Sequence, residues 1–164
     1  MYYVFNLFFI FSFLGFVLEQ LSMNLLKKPY NSSLLYGPCT PVYGISFFVI
    51  YGINKLLDYL NIKVIKKLIL FFILSFIFMS LLEFITGELI FITTGIVYWD
   101  YSNIPLNFGK YVCVPISLIW SIYSILINYL IFPFINKYIK KLPKLLTLIF
   151  LCLFFIDVIY SVFK

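Results

Sequence analysis

The chain has 164 residues, 64% of them hydrophobic and 23% aromatic, with only 11% charged. That leaves too little polar surface to clothe a water-soluble domain of this length, and the class it implies is an integral membrane protein. The net charge of +6 comes from lysine alone, since arginine and histidine are absent, and the lysines are dispersed among loops. This reads as membrane topology and excludes a nucleic-acid-binding face.

One all-α transmembrane domain covering 1–164 is expected, with about five transmembrane helices and a Gly/Pro-rich external loop that could be re-entrant. The first span covers approximately 2–23. Ser12, Gly15, Glu19 and Ser22 recur in it at helical spacing and share a face that should look into protein. It lacks a lysine-rich start and a small-residue cleavage site, so it is expected to be retained and not removed as a signal peptide. A loop with Lys27, Lys28, Pro29, Pro38 and Pro41 follows. Span 2, approximately 42–57, is short and begins at a proline turn.

Span 3, approximately 67–96, is longer than the ~20 residues a bilayer requires, which predicts a tilt, a kink near Gly87 or a projection beyond the lipid. Next comes the polar stretch Trp99–Lys110. Pro105 and Gly109 break a helix there, and Asp100 and Lys110 are costly in hydrocarbon, so it must lie at a surface or fold back into a polar pocket. Span 4, approximately 111–132, carries Ser117, Ser121, Ser124 and Asn128 as a narrow stripe, read as helix–helix packing through small side chains. Pro133 is expected to end it. Span 5, approximately 145–163, has Asp157 inside.

The loops Lys55–Lys67 and Lys137–Lys144 hold eight lysines on one side; Lys27, Lys28, Lys110 and Lys164 lie on the other. The positive-inside rule then places the N-terminus in the cytoplasm and the C-terminus outside a plasma membrane. Glu19, Glu83, Glu88, Asp100 and Asp157 fall in the outer half, Glu83 about 25 Å along span 3 at 1.5 Å per residue. Such acids should be paired or face water. Internal salt bridging, for example of Glu83 or Glu19 with Lys110 or Lys27, is one reading, and an outward-facing polar cavity is the other. Asp157 reads equally as a site residue and as a packing partner.

Four blocks carry a family resemblance. They are Gly15-Phe16-Val17-Leu18-Glu19; Leu35-Tyr36-Gly37-Pro38-Cys39-Thr40-Pro41-Val42-Tyr43-Gly44; Leu82-Glu83-Phe84-Ile85-Thr86-Gly87; and Trp99-Asp100-Tyr101-Ser102 with Asn107, Gly109 and Trp120. In this order they resemble the bacterial CmpB family of type-IV ABC-transporter permeases, related to eukaryotic TMEM-type membrane proteins. The chain departs from the family pattern at Lys110, where arginine is usual, and at Asn31-Ser32-Ser33, where Asn-Arg-Gly is usual. Lysine keeps the charge but cannot make a bidentate fork to a carboxylate.

The resemblance implies a transport role. There is no Walker A motif, so the chain cannot hydrolyse ATP and a separate ATPase subunit would be its partner, alongside membrane lipid and a second copy in a homo-oligomer. The leading expectation is a permease-like or substrate-binding subunit with an acidic cavity walled by spans 1, 3 and 4. Its binding residues would be Glu19, Glu83, Asp100, Lys110, Trp99, Tyr36, Tyr43 and Asn107. Gly37, Pro38, Pro41, Gly44, Gly87 and Gly109 would shape the backbone. A membrane enzyme acting on a lipid or polar headgroup, with Glu83 or Asp100 as acid or base, is weaker, because no histidine or metal constellation supports it. A non-catalytic assembly protein is the third reading. No cofactor or metal is expected, with Cys39, Cys113 and Cys152 far from any CxxC spacing. Cys39 and Cys113 could pair, though free buried thiols fit better. Tyr98, Tyr101 and Trp120 fit an interfacial aromatic belt.

Overall fold

The computed structural model describes residues 1–25 and 35–162, with side chains described for 1–21 and 35–161. Lys27, Lys28, the Asn31-Ser32-Ser33 segment and Lys164 lie outside the described residues, so the expectations placed on them are not taken further. The elements in order are α1 (Tyr2–Leu25), α2 (Pro41–Tyr59), α3 (Val64–Thr94), a two-stranded hairpin β1 (Asn107–Phe108) and β2 (Val112–Cys113), α4 (Val114–Leu126), a π-helical turn (Ile127–Ile131), α5 (Phe132–Ile139) and α6 (Lys144–Val162). Among the described residues four helical segments are long and apolar enough to cross a membrane: Tyr2–Leu21, Val64–Thr94, Val114–Ile139 and Lys144–Ser161. The chain is therefore an all-α membrane protein apart from one short hairpin. α2 is helical, but Asn54, Lys55 and Asp58 in its second half keep it out of that group.

The polarity of the interior is that of a protein in lipid. Asn6, Ser12, Ser46, Ser75, Ser117, Ser121, Ser124, Asn128 and Thr147 are buried, while Ile69, Ile73, Ile77, Leu81, Ile85, Leu89 and Ile92 of α3 face outward. Lipid tails are as apolar as leucine, so helices gain by turning small and hydrogen-bonding residues toward each other and leaving large apolar ones outside.

The chain divides into two compact units, one formed by Met1–Phe47 with Phe134–Lys164 and the other by Phe48–Pro133. In the first, α1 packs on α6 through Phe8, Phe9, Phe150 and Phe154, whose ring centroids lie 5.8–5.9 Å apart. A buried hydrogen bond from Thr147 Oγ1 to Asn6 Oδ1, 2.7 Å, joins the two helices. α1 meets the start of α2 through stacked Phe11 and Phe47 rings, 3.8 Å apart and 3° from parallel. It also does so through two glycines. The Tyr43 ring lies on Gly15, and Gly44 takes Ser12 and Phe8; a Cβ on either glycine would overlap those atoms.

In the second unit, Ile50, Ile53, Leu57, Phe71 and Met79 form the core, with Leu74, Leu82 and Trp120 packed against it. The Ser80 and Ser117 hydroxyls, 2.8 Å apart, join α3 to α4. Ser117, Ser121 and Ser124 are buried, as their spacing predicts for a packing stripe. α3 runs unbroken through Gly87 for 31 residues, about 46 Å at 1.5 Å per residue. It ends at Gly95, whose φ of +70° is the left-handed cap and whose N–H bonds Phe91 O at 2.8 Å. Pro133 does not end the helix begun at Val114. The chain stays helical to Ile139 because the π turn comes first. Phe132 donates to Ile127 O, five residues back, which relieves the crowding that a proline ring imposes on the preceding turn.

Candidate functional site

The polar stretch after α3 folds back on that helix. Asn107 pairs with Cys113 and Phe108 with Val112, and Gly109 turns the hairpin at φ +71°. Leu106 holds φ +61° just before it, a strained conformation for a branched residue, and its carbonyl accepts the Val114 N–H at 3.0 Å. Asn107 Nδ2 donates to Tyr101 O at 3.1 Å and to Ser102 O at 2.7 Å. Tyr101 N–H donates to Lys110 O at 2.7 Å, closing the loop across its width. Asn107 is therefore a brace for the loop backbone.

Two aromatic residues hold this loop to the helix. Tyr111, only 3% exposed, lays its ring on Gly87, where a Cβ would come within 2.5 Å of Tyr111 Cγ. Trp99 packs edge-on to Tyr111 with centroids 5.8 Å apart, and its Nε1 donates to Tyr111 O at 3.2 Å. The second is Tyr101, whose hydroxyl donates to Glu83 Oε1 at 3.0 Å. Glu83 is half-buried one helical turn before Gly87, so the carboxylate and the glycine seat the same loop. Burial pushes the Tyr111 phenol above its usual range, with the Glu88 and Asp100 carboxylates adding to the shift.

Asp100 and Lys110 are both exposed. The Asp100 carboxylate accepts the Ser102 N–H at 2.8 Å, an Asx turn, and hydrogen bonding from Ser102 holds its pKa below the ordinary value, with Lys110 contributing least. Lys110 Nζ sits 5.7 Å from the Phe91 ring centroid. Salt bridging is one of two readings for Lys110, and no ion pair of Lys110 is seen among the described residues, whereas Lys67 and Asp58 pair at 2.6 Å near the α2–α3 turn.

Glu19, Tyr36 and Tyr43 belong to the other unit. Glu19 is half-buried in α1. Tyr36, 60% exposed, stacks edge-on against Tyr160 at 5.1 Å. Tyr43 is taken up by the Gly15 contact. The residue that organises this unit's loop is Asp157 of α6, whose two carboxylate oxygens accept Tyr36 N–H at 3.0 Å and Gly37 N–H at 2.9 Å. A Cβ at Gly37 would stand 2.8 Å from Asp157 Oδ2, so a side chain there would push the carboxylate off its two N–H groups. Pro38 follows, and Pro41 opens α2, where its missing N–H costs nothing. Cys39, Cys113 and Cys152 are free thiols.

The structure thus gathers Glu83, Trp99, Asn107, Gly87 and Gly109 into one assembly, with Asp100 and Lys110 on its exposed side. Tyr101 and Tyr111 complete that assembly, although the sequence marks Tyr101 as an aromatic-belt residue and does not single out Tyr111. Tyr111, just before β2, is marked in the sequence only as a large ring following the polar stretch; its contact with Gly87 is a finding of the structure.

No curated protein and no solved structure matches the chain. A family model described as "Putative ABC-transporter type IV" matches residues 6–162. The chain is a multi-pass membrane protein and belongs to the family that this model describes, the CmpB family.

Proposed function

We propose that the chain is the permease-like or substrate-binding membrane subunit of a transporter, with a polar, acidic recognition site in the outer half of a plasma membrane. The observation that carries this reading is the hydrogen bond from Tyr101 to Glu83, which seats a polar loop on an acidic residue of a long, mainly apolar helix. An acid retained within a membrane helix is costly unless it has a task or a partner. Asp100, Lys110 and Trp99 ring the same assembly and supply the groups a polar solute would meet. The missing Walker A motif makes a separate ATPase subunit the energy source, in keeping with the family. A second copy of the chain and membrane lipid are further partners in this reading.

The topology proposed with it has five spans, α2 being the fifth, with the N-terminus cytoplasmic and the C-terminus external. The two-to-one lysine bias supports this orientation. The Gly-Pro loop would re-enter the membrane. In support, its N–H groups are held by Asp157, five residues and so about 8 Å before the end of α6.

The test compares solute pools in cells carrying the wild-type chain, a deletion, Glu83→Gln or Asp100→Asn. A pool that shrinks in the deletion should shrink in both variants while membrane insertion stays intact. Full restoration of that pool by both variants overturns the reading.

A further inference from the structure

The π turn leaves one residue with two polar groups to satisfy. Phe132 N–H, which in an α-helix would serve Asn128 O, instead serves Ile127 O. The next residue, the one a π pattern would assign to Asn128 O, is Pro133, which has no N–H. Asn128 is only 5% exposed, and among the described residues its Nδ2 has no hydrogen-bond partner. Across the seam, Ser75 of α3 is fully buried and its Oγ likewise has no partner among the described residues. Ser75 lies between Phe71, whose ring meets Tyr129 at 5.6 Å, and Ser80, which bonds Ser117. It therefore stands alongside the Ser121–Asn128 stretch of the facing helix. Ser121 and Ser124 spend their protons on the carbonyls of Ser117 and Trp120, both at 2.8 Å, and have none to give.

We propose that water binds in the α3–α4 seam at the level of Ser75 and Asn128. A polar group left unbonded in such a place is costly, and one water offers both kinds of partner. It accepts from Asn128 Nδ2 and donates to Asn128 O and to Ser75 Oγ, within the two to four bonds that buried waters make. Among the described residues no carboxylate is hydrogen-bonded to Ser75 or to Asn128, and the carboxylate at the end of the side-chain path, Asp58, is already neutralised by Lys67 at 2.6 Å, so the ligand is neutral. A path for its entry runs along side chains of the same unit. Tyr129 donates to Asn54 Oδ1 at 2.9 Å, and Asn54 leads to Asp58 and the exposed Lys67–Asp58 pair. Transmembrane helices broken by proline are held together by ordered water in this way.

Water-edited solid-state NMR on the full-length, 13C-labelled chain in lipid bilayers tests this, with bulk water as the probe. Asn103 in the exposed loop gives the wet reference, and the buried Phe47 ring the dry one. The Asn128 Cγ signal, identified by its loss in Asn128→Leu or in the smaller change Asn128→Ser, should gain water magnetisation at least threefold faster than Phe47. Ser75→Val should slow that transfer twofold or more. A wild-type Asn128 as slow as Phe47 overturns the proposal, and an unchanged rate in Ser75→Val removes Ser75 from the site.

Discussion

The Tyr101 hydroxyl is hydrogen-bonded to Glu83 Oε1 at 3.0 Å, eighteen residues apart in the chain, and this bond ties the loop after α3 to the helix it leaves. A bond to a carboxylate is about twice as strong as one between neutral groups. Tyr101→Phe removes it and keeps the ring. The expected loss is about 1.5–3 kcal/mol of loop stability, the usual range for a bond to a charged partner. Amide exchange across 99–110 should rise by at least tenfold, read by mass spectrometry, while exchange in α6 stays unchanged.

Gly87 and Tyr111 make the second tie. Gly87→Ala places a methyl 2.5 Å from the Tyr111 ring, and the ring must move. Overpacking of this kind costs about 1–3 kcal/mol. Because the clash needs both partners, Tyr111→Ala in the same chain should make the pair less destabilised than the sum of the single changes. Thermal unfolding of the four proteins in detergent measures the coupling. Strict additivity would mean that the ring and the glycine do not meet.

Asp157 anchors the Gly-Pro loop by accepting two main-chain N–H groups. Asp157→Asn keeps the shape but turns one oxygen into a donor that faces a donor. One loop bond is lost and the other loses its charge. Cys39, whose own N–H bonds Gly37 O at 2.8 Å, reports on the loop. Its maleimide labelling should speed up several-fold in Asp157→Asn, and more in Asp157→Leu. Equal rates in all three proteins would show that the clamp does not hold the loop.

The Asx turn at Asp100 predicts an acid response. Ser102 favours the ionised carboxylate in the folded loop, so the folded pKa lies below the ordinary 3.8. A group depressed on folding contributes stability that is present above its unfolded pKa and is lost as pH falls through the folded one. The loop should therefore be unchanged from neutral pH down to about 4 and loosen below it. Fluorescence of Trp99 in a Trp120→Phe background follows this. Asp100→Asn should flatten the acid limb, and a transition centred near pH 6 would assign it to another group.

Much of this architecture is legible in the chain because lipid permits few solutions. Long apolar runs mark α1, α3, the Val114 helix and α6, and the Ser117–Ser121–Ser124 spacing marks a packing face. The limits are equally physical. Pro133 reads as a terminator because a sequence does not show that the turn before it has changed its hydrogen-bond pattern. Tyr101 reads as a belt residue because a tyrosine at a helix end has the same composition whether its hydroxyl meets headgroups or Glu83. Asp100 and Lys110 attract attention by charge, yet uncharged rings and a backbone-bracing amide hold the loop. Asp157 is visible as a lone acid, but the two main-chain groups that it clamps lie about 120 positions away, which no spacing reveals.

The reciprocal glycine contacts between α1 and α2 limit how these helices can move. The Tyr43 ring occupies the notch at Gly15, and Phe8 and Ser12 occupy the one at Gly44, so each helix carries both a peg and a socket. The register of Pro41–Phe47 against α1 is thereby fixed at two points at once, by interlocking shape and without any charged group.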